Sequence, residues 1–132
     1  MVRVLLVDDH PAFLPMIEAE LAPLRQLTVI GYAHSGREAV EQVRRLQPDL
    51  VLLDIAMPDM NGLEVARTIK ALPRPIAVVL VSLHDTPAYR SASANLADGF
   101  VAKDALDIHL APLLSRLFPD FIRECGALYD DA

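Results

Sequence analysis

Two acids stand side by side at the end of an apolar run: Asp8 and Asp9 close "VRVLLVDD" (2–9). A third, Asp54, follows "DLVLL" (49–53). Ser82 ends "IAVVLVS" (76–82), and Lys103 ends "GFVAK" (99–103). Carboxylates gathered in one cleft repel each other unless they are protonated or neutralised. A hard divalent cation neutralises them, and oxygen ligands suit Mg²⁺ or Mn²⁺. Mg²⁺ keeps several waters and shares its coordination sphere with phosphate. A lysine ammonium adds a point charge for a phosphate oxygen, and a serine hydroxyl adds a donor. One carboxylate is then free to act as nucleophile toward a phosphoryl group. These residue types suit phosphoryl transfer by positioning and charge neutralisation.

Each residue has a plainer reading when taken singly. Asp8 and Asp9 suit a helix cap with a solvated neighbour. Asp54 suits a turn at a strand end, Ser82 a turn, and Lys103 an ordinary surface. Only their convergence favours a site, so the elements that carry them decide.

Apolar runs alternate with helix-period segments along the chain. Strands are expected at 2–7, 27–33, 49–55, 76–82 and 99–103. Helices are expected over 10–24, 36–46, 62–72, from Thr86 to about Leu96, and within 106–118. Ser35 with Glu38, and Asn61 with Glu64, have the spacing of capping boxes. Continuous Val, Ile and Leu strands separated by helices imply a parallel sheet covered on both faces. The element count suits an open doubly wound α/β fold with strand order 2-1-3-4-5. In such a sheet, sites form where strands end. Four of the five strands deliver a polar group to that rim, and strand 2 is the exception. With strands 1 and 3 adjacent, three carboxylates share one cleft, and Asp54 lies centrally between the acids and the Ser82–Lys103 pair.

The remaining composition narrows the function classes. A chain of 132 residues with 53% hydrophobic and 23% charged residues suits one globular domain. The net charge of −6 disfavours direct nucleic-acid binding. No apolar stretch approaches the ~18 residues of a membrane span, and no signal peptide is expected. Cys125 is the only cysteine, which fits a reducing cytoplasm. His10, His34, His84 and His109 lack metal-ligand spacing and read as surface or packing residues.

The pieces "VLLVDDHP", "PDLVLLDIAMPDMNGLEVARTIK", "VVLVSLHD" and "ADGFVAK" resemble a response-regulator receiver domain of two-component signalling, over about residues 2–118. The wording "VDDHP", "MPDMNGLE" and "LHD" is similar to the NarL/FixJ-type branch. The resemblance implies a flavodoxin-like (βα)5 fold. It implies that Asp54 accepts phosphate from a histidine kinase or phosphotransfer protein. Asp9 and Asp54 would ligate Mg²⁺ directly, Asp8 would assist, and the Ala56 backbone carbonyl would complete the protein ligands. Ser82 and Lys103 would hold the phosphoryl group. Phe100 matches an aromatic switch position that follows Ser82, and the moving face would be helix 4, strand 5 and helix 5. Ala56 and His84 flank the site and are expected to tune the phosphoryl lifetime.

Four residues depart from the family pattern. Pro15 and Pro112 fall where helices 1 and 5 are usually uninterrupted, and an interior proline removes a donor and can kink a helix. Leu96 stands where glycine often ends helix 4, and Asp104 where proline often follows the lysine. Residues 119–132 are expected to be a tail or the start of a linker beyond a receiver over 1–118. They are too short for the helix-turn-helix domain that NarL/FixJ-type regulators usually carry. Either a stand-alone receiver or one excised from a longer regulator fits, and a homodimer is possible.

Three competing functions remain open from the residues alone. A flavodoxin-like cofactor binder would need a phosphate loop after strand 1, where "DDHP" instead repels phosphate. A phosphatase with an aspartyl intermediate commonly has a second acid two residues past its nucleophile, where this chain has Ala56. A receiver-like interaction domain that works without phosphorylation is the third.

Overall fold

The computed structural model describes residues 1–83, 91 and 94–119. Five strands form one parallel sheet: β1 (Val2–Val7), β2 (Leu27–Ala33), β3 (Leu50–Asp54), β4 (Ala77–Ser82) and β5 (Gly99–Ala102). The strand order is β2-β1-β3-β4-β5, as expected for an open doubly wound sheet. Helices α1 (Phe13–Leu21), α2 (Gly36–Leu46) and α3 (Gly62–Lys70) connect the first strands, and a C-terminal helix spans Leu106–Leu117. Residues 94–96 are helical too. No helix among the described residues is long and apolar enough to cross a membrane.

Alternation along the strands builds two cores. Val4 and Leu6 of β1 pack with Leu50 and Leu52 of β3 under α1 and the C-terminal helix. Leu5 and Val7 turn the other way, with Val51, Leu53 and Leu80, under α2 and α3. All of these residues are at most 1% exposed. Truncating any of the leucines to alanine is expected to cost about 2–5 kcal/mol. The two covered faces leave only the strand ends as polar rims.

Local chemistry explains where the helices begin. The Ser35 hydroxyl accepts from Glu38 N at 3.1 Å, and Glu38 Oε2 reaches back to His34 N at 3.3 Å. Asn61 also caps its helix, but its Oδ1 accepts from Leu63 N at 2.7 Å. Glu64 N bonds the Asn61 backbone carbonyl instead, so the second box is only a cap. Gln47 closes α2 in the left-handed region, with φ 49°.

The prolines disturb less than expected. α1 starts at Phe13 rather than residue 10. Pro15 is therefore its third residue, where a backbone N–H has no helical partner to lose. Pro112 is interior, yet the C-terminal helix runs through it without a break. Pro112 is exposed, as is Ile108, whose carbonyl loses its helical donor. Water can serve that carbonyl, while Leu110 and Leu114 face inward and are buried. Leu96 is half-buried against the core shared with α2 and α3. Asp104 is exposed, in a short 3-10 turn (Lys103–Ala105) that follows β5.

Candidate functional site

Strand register sets the rim. Val7 pairs with Ala33 on one side and Leu53 on the other. Asp8 N then donates to Ala33 O at 3.0 Å, extending the ladder by one residue. Its side chain is thereby fixed at the sheet's end and fully buried. Asp54 is the last residue of β3 and is 3% exposed. Ser82, the last residue of β4, is 1% exposed and pairs in register with Ala102. Lys103 follows immediately and is 6% exposed.

Lys103 Nζ lies 2.7 Å from Asp8 Oδ2 and 3.5 Å from Asp54 Oδ2. It also sits 4.4 Å from the centroid of the Phe13 ring, whose face attracts a cation. A buried ammonium is costly unless it is paired, and here the aromatic ring and two carboxylates hold it. The surface-lysine reading of Lys103 is thereby overturned. The cap reading of Asp8 and Asp9 fails as well, because Ala12 is the N-cap of α1 and no side chain caps it. Instead Asp8 Oδ1 accepts from His10 N at 2.8 Å.

One ammonium does not balance three carboxylates. Burial, with repulsion from Asp8 added to it, pushes the Asp54 carboxyl up from an ordinary 3.8 to about 6. Lys103 and the Ala56 N–H, which donates to Asp54 Oδ1 at 3.3 Å, pull the other way without cancelling it. Asp8 Oδ2, Asp9 Oδ1 and Asp54 Oδ2 are buried and accept no hydrogen bond. Asp8 Oδ2 is instead held by its ion pair with the Lys103 ammonium. Buried acceptors left in this way destabilise a fold unless something else satisfies them. A hard divalent cation fits that need, being an all-oxygen binder with positive charge. Asp8, Asp9, Asp54 and His10 each offer a donor atom, all within 4.8 Å of one another.

The loop from Ile55 to Asn61 folds back over the end of β3. Gly62 N donates to Ile55 O at 2.8 Å. A Cβ on Gly62 would lie 2.6 Å from Ile55 Cα and would collide with the Asp54 carbonyl oxygen. Glycine is required there by close backbone approach. Asp59 pins the other side of this loop, accepting from Gly36 N at 2.9 Å and Arg37 N at 3.0 Å. Those two donors at the start of α2 hold the Asp59 carboxyl below its usual range.

The structure thus brings Asp8, Asp9, Asp54 and Lys103 together, with Ser82 at the neighbouring strand end and exposed Ala56 two residues past Asp54. Phe100 stands apart. It is half-buried in β5 beside Leu80 and packs on the core shared with α2 and α3. His84 lies outside the described residues, as do Thr86, Pro87 and the tail beyond Pro119. Sequence reasoning misses Phe13, Asp59 and, above all, His10. Spacing alone makes His10 a surface or packing residue, yet its Nδ1 lies 3.2 Å from Asp8 Oδ1 and 3.1 Å from Asp9 Oδ1. Its adjacency to the acid pair is the available signal.

Known proteins resemble this chain in sequence and fold. The model of the response regulator receiver domain matches residues 4–114. A protein-glutamate methylesterase/protein-glutamine glutaminase of Rhizobium etli is 46% identical over 95 residues, which cover 72% of this chain and 26% of that protein. The probable transcriptional regulatory protein NarL of Mycobacterium tuberculosis is 38% identical over 106 residues, or 79% of this chain and 49% of the relative. The chain thus spans about half or less of the length of these relatives, and their named activities belong to them. The solved signal receiver domain of the putative response regulator NarL from Mycobacterium tuberculosis superposes with a TM-score of 0.78 at 32% identity, covering 91% of this chain and 95% of that one. The response regulator domain of Thermotoga maritima CheB does so with a TM-score of 0.69 at 31% identity, covering 93% and 95%. Fold, acidic rim, lysine and family match agree: the chain belongs to the response regulator receiver domain family.

Proposed function

We propose that Asp54 is the phosphoacceptor of a signalling module whose donor is a phosphohistidine on a histidine kinase or phosphotransfer protein. The observation that carries this reading is Asp54 Oδ2, a buried carboxylate oxygen at the acidic rim that lies 3.5 Å from the buried Lys103 ammonium. Such an oxygen has a free lone pair and little solvation to lose before attack. Asp54 Oδ2 forms a bond to phosphorus while the P–N bond to imidazole breaks. The electron pair leaves with the imidazole nitrogen, which takes a proton from solvent. The product is a mixed aspartyl-phosphate anhydride.

Asp8, Asp9 and Asp54, with the Ala56 carbonyl, would hold Mg²⁺ or Mn²⁺, which when bound neutralises charge on the phosphoryl oxygens. Lys103 shifts its charge from the carboxylates to a phosphoryl oxygen. The Ser82 hydroxyl donates to another and moves toward it. Phe100 follows, and the face formed by residues 94–97, β5 and the C-terminal helix changes shape. That face carries a groove of about 520 Å³ lined by Phe100, His109, Pro112 and Leu113, among others. A partner or output domain reads it there. Ala56 and His84 set the lifetime of the anhydride. The module works in the cytoplasm, where kinase and receiver meet.

Acetyl phosphate with Mg²⁺ should add one phosphoryl group to the wild type, read by intact mass. Asp54→Asn should take up none. Undiminished labelling of that variant would assign the nucleophile elsewhere.

A further inference from the structure

We infer that His10 supplies a nitrogen ligand to the cation at this rim, so that the site prefers a transition-series ion such as Mn²⁺ over Mg²⁺. The inference rests on the reading that the rim holds a divalent cation, and it adds the chemical class of that ion. Carboxylate oxygens alone select hard ions, whereas imidazole suits transition metals and is a poor partner for Mg²⁺.

The geometry points to ligation. His10 Nδ1 is 3.2 Å from Asp8 Oδ1 and 3.1 Å from Asp9 Oδ1. Two ligands at right angles on an ion with bonds of about 2.1 Å are separated by about 3.0 Å. The two separations from His10 Nδ1 therefore match those between neighbouring corners of an octahedron. The whole donor set lies within 4.8 Å, against about 4.2 Å for opposite corners of that octahedron. A contraction of a few tenths of an ångström by each group closes the difference. Two carboxylates in the set, Asp8 and Asp54, are at most 3% exposed, and the Asp9 Oδ1 that lies beside the imidazole is itself a buried oxygen that accepts no hydrogen bond.

The imidazole reaches this place because its backbone is tied down. His10 N donates to Asp8 Oδ1 at 2.8 Å, closing a tight turn at the end of β1. His10 O in turn accepts from Phe13 N at 3.0 Å, which joins the turn to α1. The side chain is 64% exposed, so only one edge of the ring enters the cluster. A histidine serving packing alone would bury its ring among apolar side chains. This one leaves most of its ring in water and places one nitrogen on two carboxylates.

Pulsed electron paramagnetic resonance on the purified chain loaded with one equivalent of Mn²⁺ tests this directly. A ¹⁴N coupling is expected in the wild type and its loss in His10→Gln. Loss of the coupling in Asp9→Asn, through loss of the ion itself, would separate the rim from His34, His84 and His109. Calorimetric titration should show the ratio of Mn²⁺ to Mg²⁺ affinity falling about tenfold in His10→Gln, mostly through Mn²⁺. Mg²⁺ and Mn²⁺ binding at the rim with no nitrogen coupling and an unchanged ratio would overturn the inference and leave the phosphoacceptor reading standing. Failure of the wild type to bind either ion would sink both. The wild-type nitrogen signal stands as a readout even if a variant fails to fold.

Discussion

The two ends of this sheet treat their charges in opposite ways. At the amino end, Asp49 Oδ2 accepts from Arg3 N at 2.9 Å, and its Oδ1 pairs with Arg74 at 2.9 Å. Asp98 Oδ2 accepts from Val78 N and from Lys70 Nζ, each at 2.8 Å. These carboxylates are about one-third exposed and have donors. They join the strand entrances and do nothing that needs a ligand. At the carboxyl end, carboxylates are buried, outnumber their cation and keep oxygens without hydrogen bonds. The lesson is that charge count alone does not mark a site. Burial without satisfaction does.

The largest break in this contrast should come from Lys103→Met. It removes the ammonium lying between Asp8 and Asp54 and leaves two buried carboxylates facing each other. We expect a loss of about 3–5 kcal/mol in urea unfolding at pH 8. The loss should shrink near pH 4, where carboxylates protonate. A loss below about 1 kcal/mol at pH 8 would mean that the ammonium is not the partner of these acids.

Asp54→Asn should act in the opposite direction. Burial and Asp8 raise the Asp54 carboxyl to about 6 from 3.8. The folded state therefore holds the proton more tightly than the unfolded chain. The corresponding stability is fully present below pH 4 and is lost as pH rises through about 6. Over that window the wild type should lose up to about 3 kcal/mol from this group. The substituted amide cannot ionise, so the variant should be more stable than the wild type above pH 7 in the absence of metal, by about 1–3 kcal/mol. Equal stability across pH 4–8 would contradict a strained carboxylate.

The smallest effect belongs to the amino end. Arg74→Ala breaks an exposed pair and should cost less than about 1 kcal/mol. Labelling by acetyl phosphate should be unchanged. A strong effect on labelling would mean that the two ends are coupled, which the contrast denies.

Much of this is legible in the sequence because the determining signals are local. Continuous Val and Leu runs mark the strands, and β1 and β2 have their expected bounds. Ser35 and Asn61 announce α2 and α3 through side-chain caps. Strand ends then place Asp8, Asp54, Ser82 and Lys103 on one rim without any contact being known. What stays hidden depends on distant or non-helical geometry. α1 has no side-chain cap, so nothing local marks its start at Phe13, and Pro15 looks interior. Asp59 reaches across 22 and 23 residues to Arg37 and Gly36, beyond any local pattern. His10 reads as a polar residue in a loop until a tight turn carries its nitrogen onto the acids.

The most direct test is thermal unfolding at pH 8 with and without millimolar Mg²⁺. The wild type and Arg74→Ala should both rise in Tm by several degrees, since a ligand bound only by the folded state stabilises it. The double variant Asp9→Asn with Asp54→Asn should not respond. Identical Tm values for the wild type with and without the ion, or an undiminished rise in the double variant, would contradict a carboxyl rim built to hold a cation beside Asp54.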